Sequence, residues 1–99
     1  MVIIGNFVFP PSSAKAFGEC FLKVPPEPEY VKRKDSFIGA RTGEGVKAMT
    51  IFEFEPSKFV EAHEYLSNRF ALYFDVPGLT YSIEIWNDPL EALKMVGLE

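Results

Sequence analysis

One histidine, one cysteine and two carboxylates set inside apolar runs are the residues of this 99-residue chain best suited to chemistry. His63 falls at helical spacing from Phe59, Leu66 and Phe70, which centres its imidazole on an apolar arc turned toward a sheet. Two readings follow. In one it is a core residue with a satisfied hydrogen bond; in the other it lines a cavity as a general base or as a donor to a ligand. No metal is expected, because there is no second histidine and no carboxylate lies one turn away on the same face. Glu53 and Glu84 are each flanked by apolar neighbours on strand faces turned away from the helices. Brought together, they would raise one pKa and divide acid and base roles between them. Kept apart, they stand at a sheet rim in water or hold interface hydrogen bonds.

Asn6 lies in a run that otherwise reads as buried, and a buried amide needs partners: a ligand, an ordered water or an opposing subunit. Tyr81 and Trp86 carry polar handles that can orient an aromatic ligand or pack in a core or interface. Phe52 and Phe70 would supply the apolar wall of such a pocket. Cys20 lies on the apolar arc of the first helix without a positive neighbour, where a thiol behaves as a small hydrophobe rather than a nucleophile. Lys32-Arg33-Lys34 either holds a phosphate or protects an edge strand from pairing. The chain has no Cys-x-x-Cys loop, no glycine-rich phosphate loop and no serine-nucleophile motif. Val46 to Phe54 lacks the basic, glycine-containing aromatic consensus of RNA-recognition strands.

Hydrophobic residues make up 47% and charged ones 24%, the balance of one compact domain spanning 1–99. A chain this short buries only about 60–65% of its unfolded surface, so burial in an oligomer would add usefully to its stability. The net charge of −4 argues against nucleic acid or an anionic membrane as partner. A single cysteine excludes an internal disulfide framework. No apolar run is long enough to span a bilayer, and MVIIGNFVFPP lacks the charged start of a secretory signal, so a cytoplasmic location is expected.

The elements that must position these residues follow from periodicity. Val2 to Phe9 is a strand that stops at Pro10-Pro11. Ser12 and Ser13 are suited to cap a helix carrying Ala14, Phe17, Cys20, Phe21 and Val24 on one arc, weakened at Gly18 and ended by Pro25-Pro26. Tyr30 to Arg41 and Val46 to Glu55 form a hairpin around Thr42-Gly43-Glu44-Gly45. A second helix enters at Pro56-Ser57, with Phe59, Val60, His63, Leu66, Phe70, Ala71 and Phe74 inward. Leu79 to Trp86 is the last strand. Asp88-Pro89 starts a short helix, Leu90 to Val96, with Asp88 as cap.

This β-α-β-β-α-β order plus a terminal helix is the ferredoxin-like α+β plan, a four-stranded antiparallel sheet with both helices on one face and the first and third strands central. Val2, Ile4, Met49, Ile51 and Trp86 would then share a helix-free face, or, with the first strand turned over, its other apolar side would be the one left bare. A soluble monomer usually avoids such a patch, so either a second copy packs sheet on sheet or the terminal helix folds over it.

On the stretch Phe37-Ile38-Gly39-Ala40 to Ala48-Met49-Thr50-Ile51-Phe52-Glu53-Phe54, and on the helix entered through Pro56, the chain resembles the dimeric α+β barrel superfamily. That superfamily includes cofactor-independent monooxygenases, muconolactone-isomerase-like proteins and many small bacterial proteins of no assigned activity; the likeness here is to a branch of the last. The resemblance implies a homodimer and a pocket between sheet and helices, but transfers no catalytic residue. The expected function is binding of a small hydrophobic or aromatic ligand without a cofactor, with or without oxygenase-like or isomerase-like turnover. His63 would then be the acid/base, Asn6 and Tyr81 the orienting groups, and Phe52 with Phe70 the wall. The alternative is a non-catalytic interaction or regulatory module that dimerises through its sheet. An enclosed cavity of about 300 Å3 or more beside His63 would favour the first; a fully packed interior would favour the second.

Overall fold

The computed structural model describes residues 1–41 and 43–98; Thr42 of the hairpin turn lies outside them. Strand β1, Val2–Phe9, is followed by a 3-10 turn at Pro11–Ser13 and helix α1, Ala14–Lys23. Strands β2, Lys32–Arg41, and β3, Gly45–Glu53, come next. A 3-10 turn at Pro56–Lys58 then leads into α2, Phe59–Ala71, and the chain closes with β4, Thr80–Trp86, and α3, Pro89–Met95. The four strands make one antiparallel sheet in the order β2-β3-β1-β4, with β1 and β3 central. The molecule is a mixed α+β fold.

The alternation of β1 explains why it sits in the middle. Ile3, Phe7 and Phe9 are buried, while Val2, Ile4 and Val8, on the opposite face, are half-buried. Phe7 meets Tyr73 at 4.5 Å, Phe70 at 5.2 Å and Phe17 of α1 at 5.5 Å between ring centroids. These rings seat both long helices on the same face of the sheet. Gly43 and Gly45 take φ of 81° and 103°, the left-handed turn of the β2–β3 connection.

Gly5 matters for a different reason. A methyl group there would sit inside the van der Waals surface of Phe70 Cζ, in a region where Phe70 is only 2% exposed. Overpacking of this kind costs about 1–3 kcal/mol. Gly5→Ala should therefore lower the urea midpoint with little change in slope, and adding Phe70→Leu should recover part of the loss. An unchanged midpoint would mean that the ring is not held against the strand.

Four sequence expectations need correcting. Ser13 does not cap α1: its side chain makes no capping bond, and its Oγ instead donates to the Pro77 carbonyl, tying the helix start to the turn before β4. Only Phe17 of the predicted α1 arc is buried; Ala14 and Phe21 are exposed and Cys20 is half-buried. The buried face of α2 is Ala62, Leu66, Arg69 and Phe70, continuing to Tyr73, whereas Val60, Ala71 and Phe74 are exposed. The true arc is rotated toward Arg69, because that guanidinium is paired and stacked rather than solvated. His63 is thereby moved from the centre of the arc to its flank, half-buried beside Phe59 with ring centroids 5.7 Å apart.

Helix α3 has the predicted start. Asp88 Oδ1 accepts from the Glu91 amide at 2.8 Å, and Glu91 Oε1 accepts from the Asp88 amide at 2.9 Å, a complete capping box. Glu91 Oε2 also accepts from the Met1 ammonium at 2.8 Å, and these bonds hold its carboxyl below the ordinary glutamate range. The tie is therefore intact above that range and is lost as pH falls through the lowered value. Beyond this anchor the helix stands away. Leu90, Leu93, Met95 and Val96 are all exposed. The long axis reaches 48 Å, and the radius of gyration is 15.0 Å against about 13 Å for a compact chain of this length. The apolar side of α3 is therefore not folded down over the helix-free face, where Trp86 remains 54% exposed.

Candidate functional site

The sheet places the two carboxylates apart. Glu53 is opposite Val2 on one side of β1, and Glu84 is opposite Ile4 on the other, about 12 Å away across two strand spacings and two residues along the strand. Glu53 pairs with Lys34 at 3.5 Å, and Glu84 accepts from the Trp86 indole at 3.2 Å. They do not form a paired acid/base site. Lys32, Arg33 and Lys34 are divided by an irregularity in β2 between Arg33 and Asp35. Arg33 turns to Glu27 at 3.4 Å and Lys34 to Glu53. Asn6, on the helix-free face, donates to Ser82 Oγ at 3.3 Å, which meets part of its need for partners. Tyr81 lies on the helix side of β4, with centroids 5.2 Å from Phe74 and 6.4 Å from Phe70. Among the described residues, no group of three or more His, Cys, Asp or Glu side chains gathers to hold a metal ion.

Phe52 and Phe70 do share a site, with ring centroids 6.2 Å apart. They line an apolar groove of about 240 Å3 between α1 and the β1–β3–β2 side of the sheet. Neither long helix shields β2: Ser36, Ile38 and Ala40 are exposed, Ile38 by 72%. Rings of Phe7, Phe9, Phe17, Phe21 and Tyr73 complete the walls. Gly18 contributes by lacking a side chain: a Cβ built there would find nothing within 4 Å. This glycine, which costs its helix up to about 1 kcal/mol, opens the groove. His63, Asn6 and Tyr81 are not among the lining residues.

The polar groups of the groove are few. Ser36 Oγ and Thr50 Oγ1 stand 3.2 Å apart. Burial raises the Tyr73 phenol above its ordinary value, with the Arg69 guanidinium opposing, so it stays protonated at neutral pH. Arg69 is 7% exposed. Its Nη1 donates to Tyr65 Oη at 3.1 Å and lies 3.5 Å from Glu27 Oε1, while its guanidinium carbon sits 5.4 Å from the Phe52 ring centre. No carboxylate, imidazole or thiol lines the groove among the described residues. Sequence reasoning assigned Arg69 no role; the signal was its spacing of four from Tyr65, which places the two on one helix face.

A wider hollow of about 700 Å3 lies near Met1, bounded by residues such as Tyr30, Glu53, Lys58 and Glu91. Its walls are largely exposed and charged, which suits water better than an apolar ligand. No helix among the described residues is long and apolar enough to cross a membrane. Compared with protein-family models, with curated proteins and with solved structures, the chain matches none.

Proposed function

We propose that this protein binds a small, flat hydrophobic compound in the groove between α1 and the sheet. The observation that carries the reading is a ring-lined groove of about 240 Å3 set beside a core of buried aromatic and aliphatic side chains. That volume exceeds the roughly 150 Å3 that holds benzene and falls below the roughly 300 Å3 where drug-sized sites begin. It fits one or two fused rings. Turnover of the oxygenase or isomerase kind would have to draw on a phenol, two hydroxyls and a guanidinium, so we favour binding over catalysis. His63, away from the groove, would have no acid/base part in it.

The sheet order and the placement of both long helices on one face support a ferredoxin-like fold. The half-buried Val2, Ile4, Met49 and Ile51, with exposed Trp86 on the same face, support a homodimer of the α+β barrel type. The second reading, a module that acts through assembly alone, draws on the same face and on the bare apolar side of α3. It leaves the groove without a role.

Thermal unfolding with and without 2-naphthamide, at fixed protein concentration, tests the ligand reading. At a hundred times Kd, binding adds about 2.7 kcal/mol of stability. At roughly 4–8 °C per kcal/mol, this raises Tm by about 10–20 °C. A midpoint indifferent to the compound, and to other one- and two-ring aromatics, up to their solubility would favour the assembly module.

A further inference from the structure

We infer that the groove is built for an aromatic carboxylate, with Arg69 receiving the anion; this deepens the ligand reading above and rests on it. The first observation is a surplus of charge. Arg69 and Arg33 both approach one carboxylate oxygen, Glu27 Oε1, at 3.5 Å and 3.4 Å. Two guanidinium groups against one carboxylate leave a positive charge over. The second is unmet donor capacity. The Arg69 side chain is 6% exposed and uses only Nη1; Nε and Nη2 donate to no described residue. That edge is the fork which matches a carboxylate with two parallel hydrogen bonds. Neither nitrogen is a fully buried orphan, so what a carboxylate would gain there is the charge-assisted pair itself in place of water.

The third observation is placement. Arg69 lines the groove and also the neighbouring hollow that holds Glu27 and Arg33, so it stands as the wall between apolar space and the ion pairs. Glu27 is held loosely: its Oε1 is buried yet has no hydrogen bond of good geometry. A bound carboxylate would complete the Arg69 side of this arrangement without displacing Glu27. Phe21 lines both spaces, with the Arg33 guanidinium carbon 5.5 Å from its ring centre, and marks the rim nearest the charges. A neutral amide of the same shape would fill the rings' space but offer that edge one uncharged acceptor oxygen in place of two charged ones.

The test is a calorimetric comparison of 2-naphthoate with its neutral isostere, 2-naphthamide, on the full chain. The wild type should bind the carboxylate at least tenfold more tightly. Replacing the pair together, Arg69→Met with Glu27→Gln, should abolish that preference. Equal affinities in the wild type would overturn the assignment while leaving the groove as an aromatic site. Binding of neither compound would overturn both. Because a core variant can fail to fold, the wild-type Arg69 Nε–H resonance provides a second readout. It should move downfield on adding 2-naphthoate, and by clearly less with 2-naphthamide; no shift at saturating carboxylate would place the anion elsewhere and end the proposal.

Discussion

Ile4→Lys should abolish the proposed sheet-on-sheet dimer, weakening self-association by a factor of about 1,000 or more. Ile4 stands on the helix-free face of central strand β1, between Ile51 of β3 and Glu84 of β4. In a two-fold dimer each substitution is present twice, so two ammonium groups are pressed into the contact, each with Glu84 of its own subunit as its cross-strand neighbour. Taking such ions out of water costs several kcal/mol each, and about 4 kcal/mol already amounts to a thousandfold in Kd. The fold itself should survive, since Ile4 is half-buried and the helix-side core lies on the other face. Val60→Lys, at a position of α2 that is 70% exposed, should leave association unchanged. Sedimentation of the three proteins decides the matter. A wild type that remains monomeric at 100 times micromolar concentration, or an Ile4 variant that still dimerises, would remove the sheet-on-sheet contact from the account.

Gly18→Leu should raise stability and abolish ligand binding together. Most substitutions that disturb a site also disturb the fold, so this opposition of signs is diagnostic. Leucine is the better helix former by up to about 1 kcal/mol, and the space at Gly18 is open, so the new side chain meets no clash. Its four carbons would enter the groove beside Phe17 and occupy the volume that the ligand requires. Urea unfolding should show a midpoint equal to or above that of the wild type, while affinity for 2-naphthamide falls by a factor of about 100 or more. Retained affinity in a stable variant would mean that the ligand does not sit against α1.

Much of the fold was legible from local pattern. Strand β1 alternates apolar residues on both faces, which only a central strand requires, and its end follows directly from Pro10-Pro11. The five residues predicted to share the helix-free face do share it, because a period of two assigns faces once the strands are in register. Asp88 could be named as a cap because Pro89 follows it at the first helical position.

The groove was not legible, for two physical reasons. It exists because the helices leave β2 unshielded, a matter of how far apart elements pack, and periodicity carries no such information. It also depends on a buried charge. A hydropathy pattern assigns Arg69 to solvent, whereas Glu27, 42 positions earlier, together with Tyr65 and Phe52, holds it inside. With Arg69 left out of the arc, His63 stood at its centre and became the prime candidate. Gly18 was read as a weak point in a helix, and only the empty space beyond its Cα gives it a role. Phe52 and Phe70 were found because large apolar residues on sheet-facing positions are visible in both patterns.

The account turns on the claim that a small aromatic compound lodges between α1 and the β1–β3–β2 side of the sheet. Intermolecular nuclear Overhauser effects from bound 2-naphthamide test it most directly. The ring protons should report onto Phe7, Phe17 and Phe70. Contacts instead to Val2, Ile4, Met49 or the Trp86 indole, or none at saturating ligand, would contradict it.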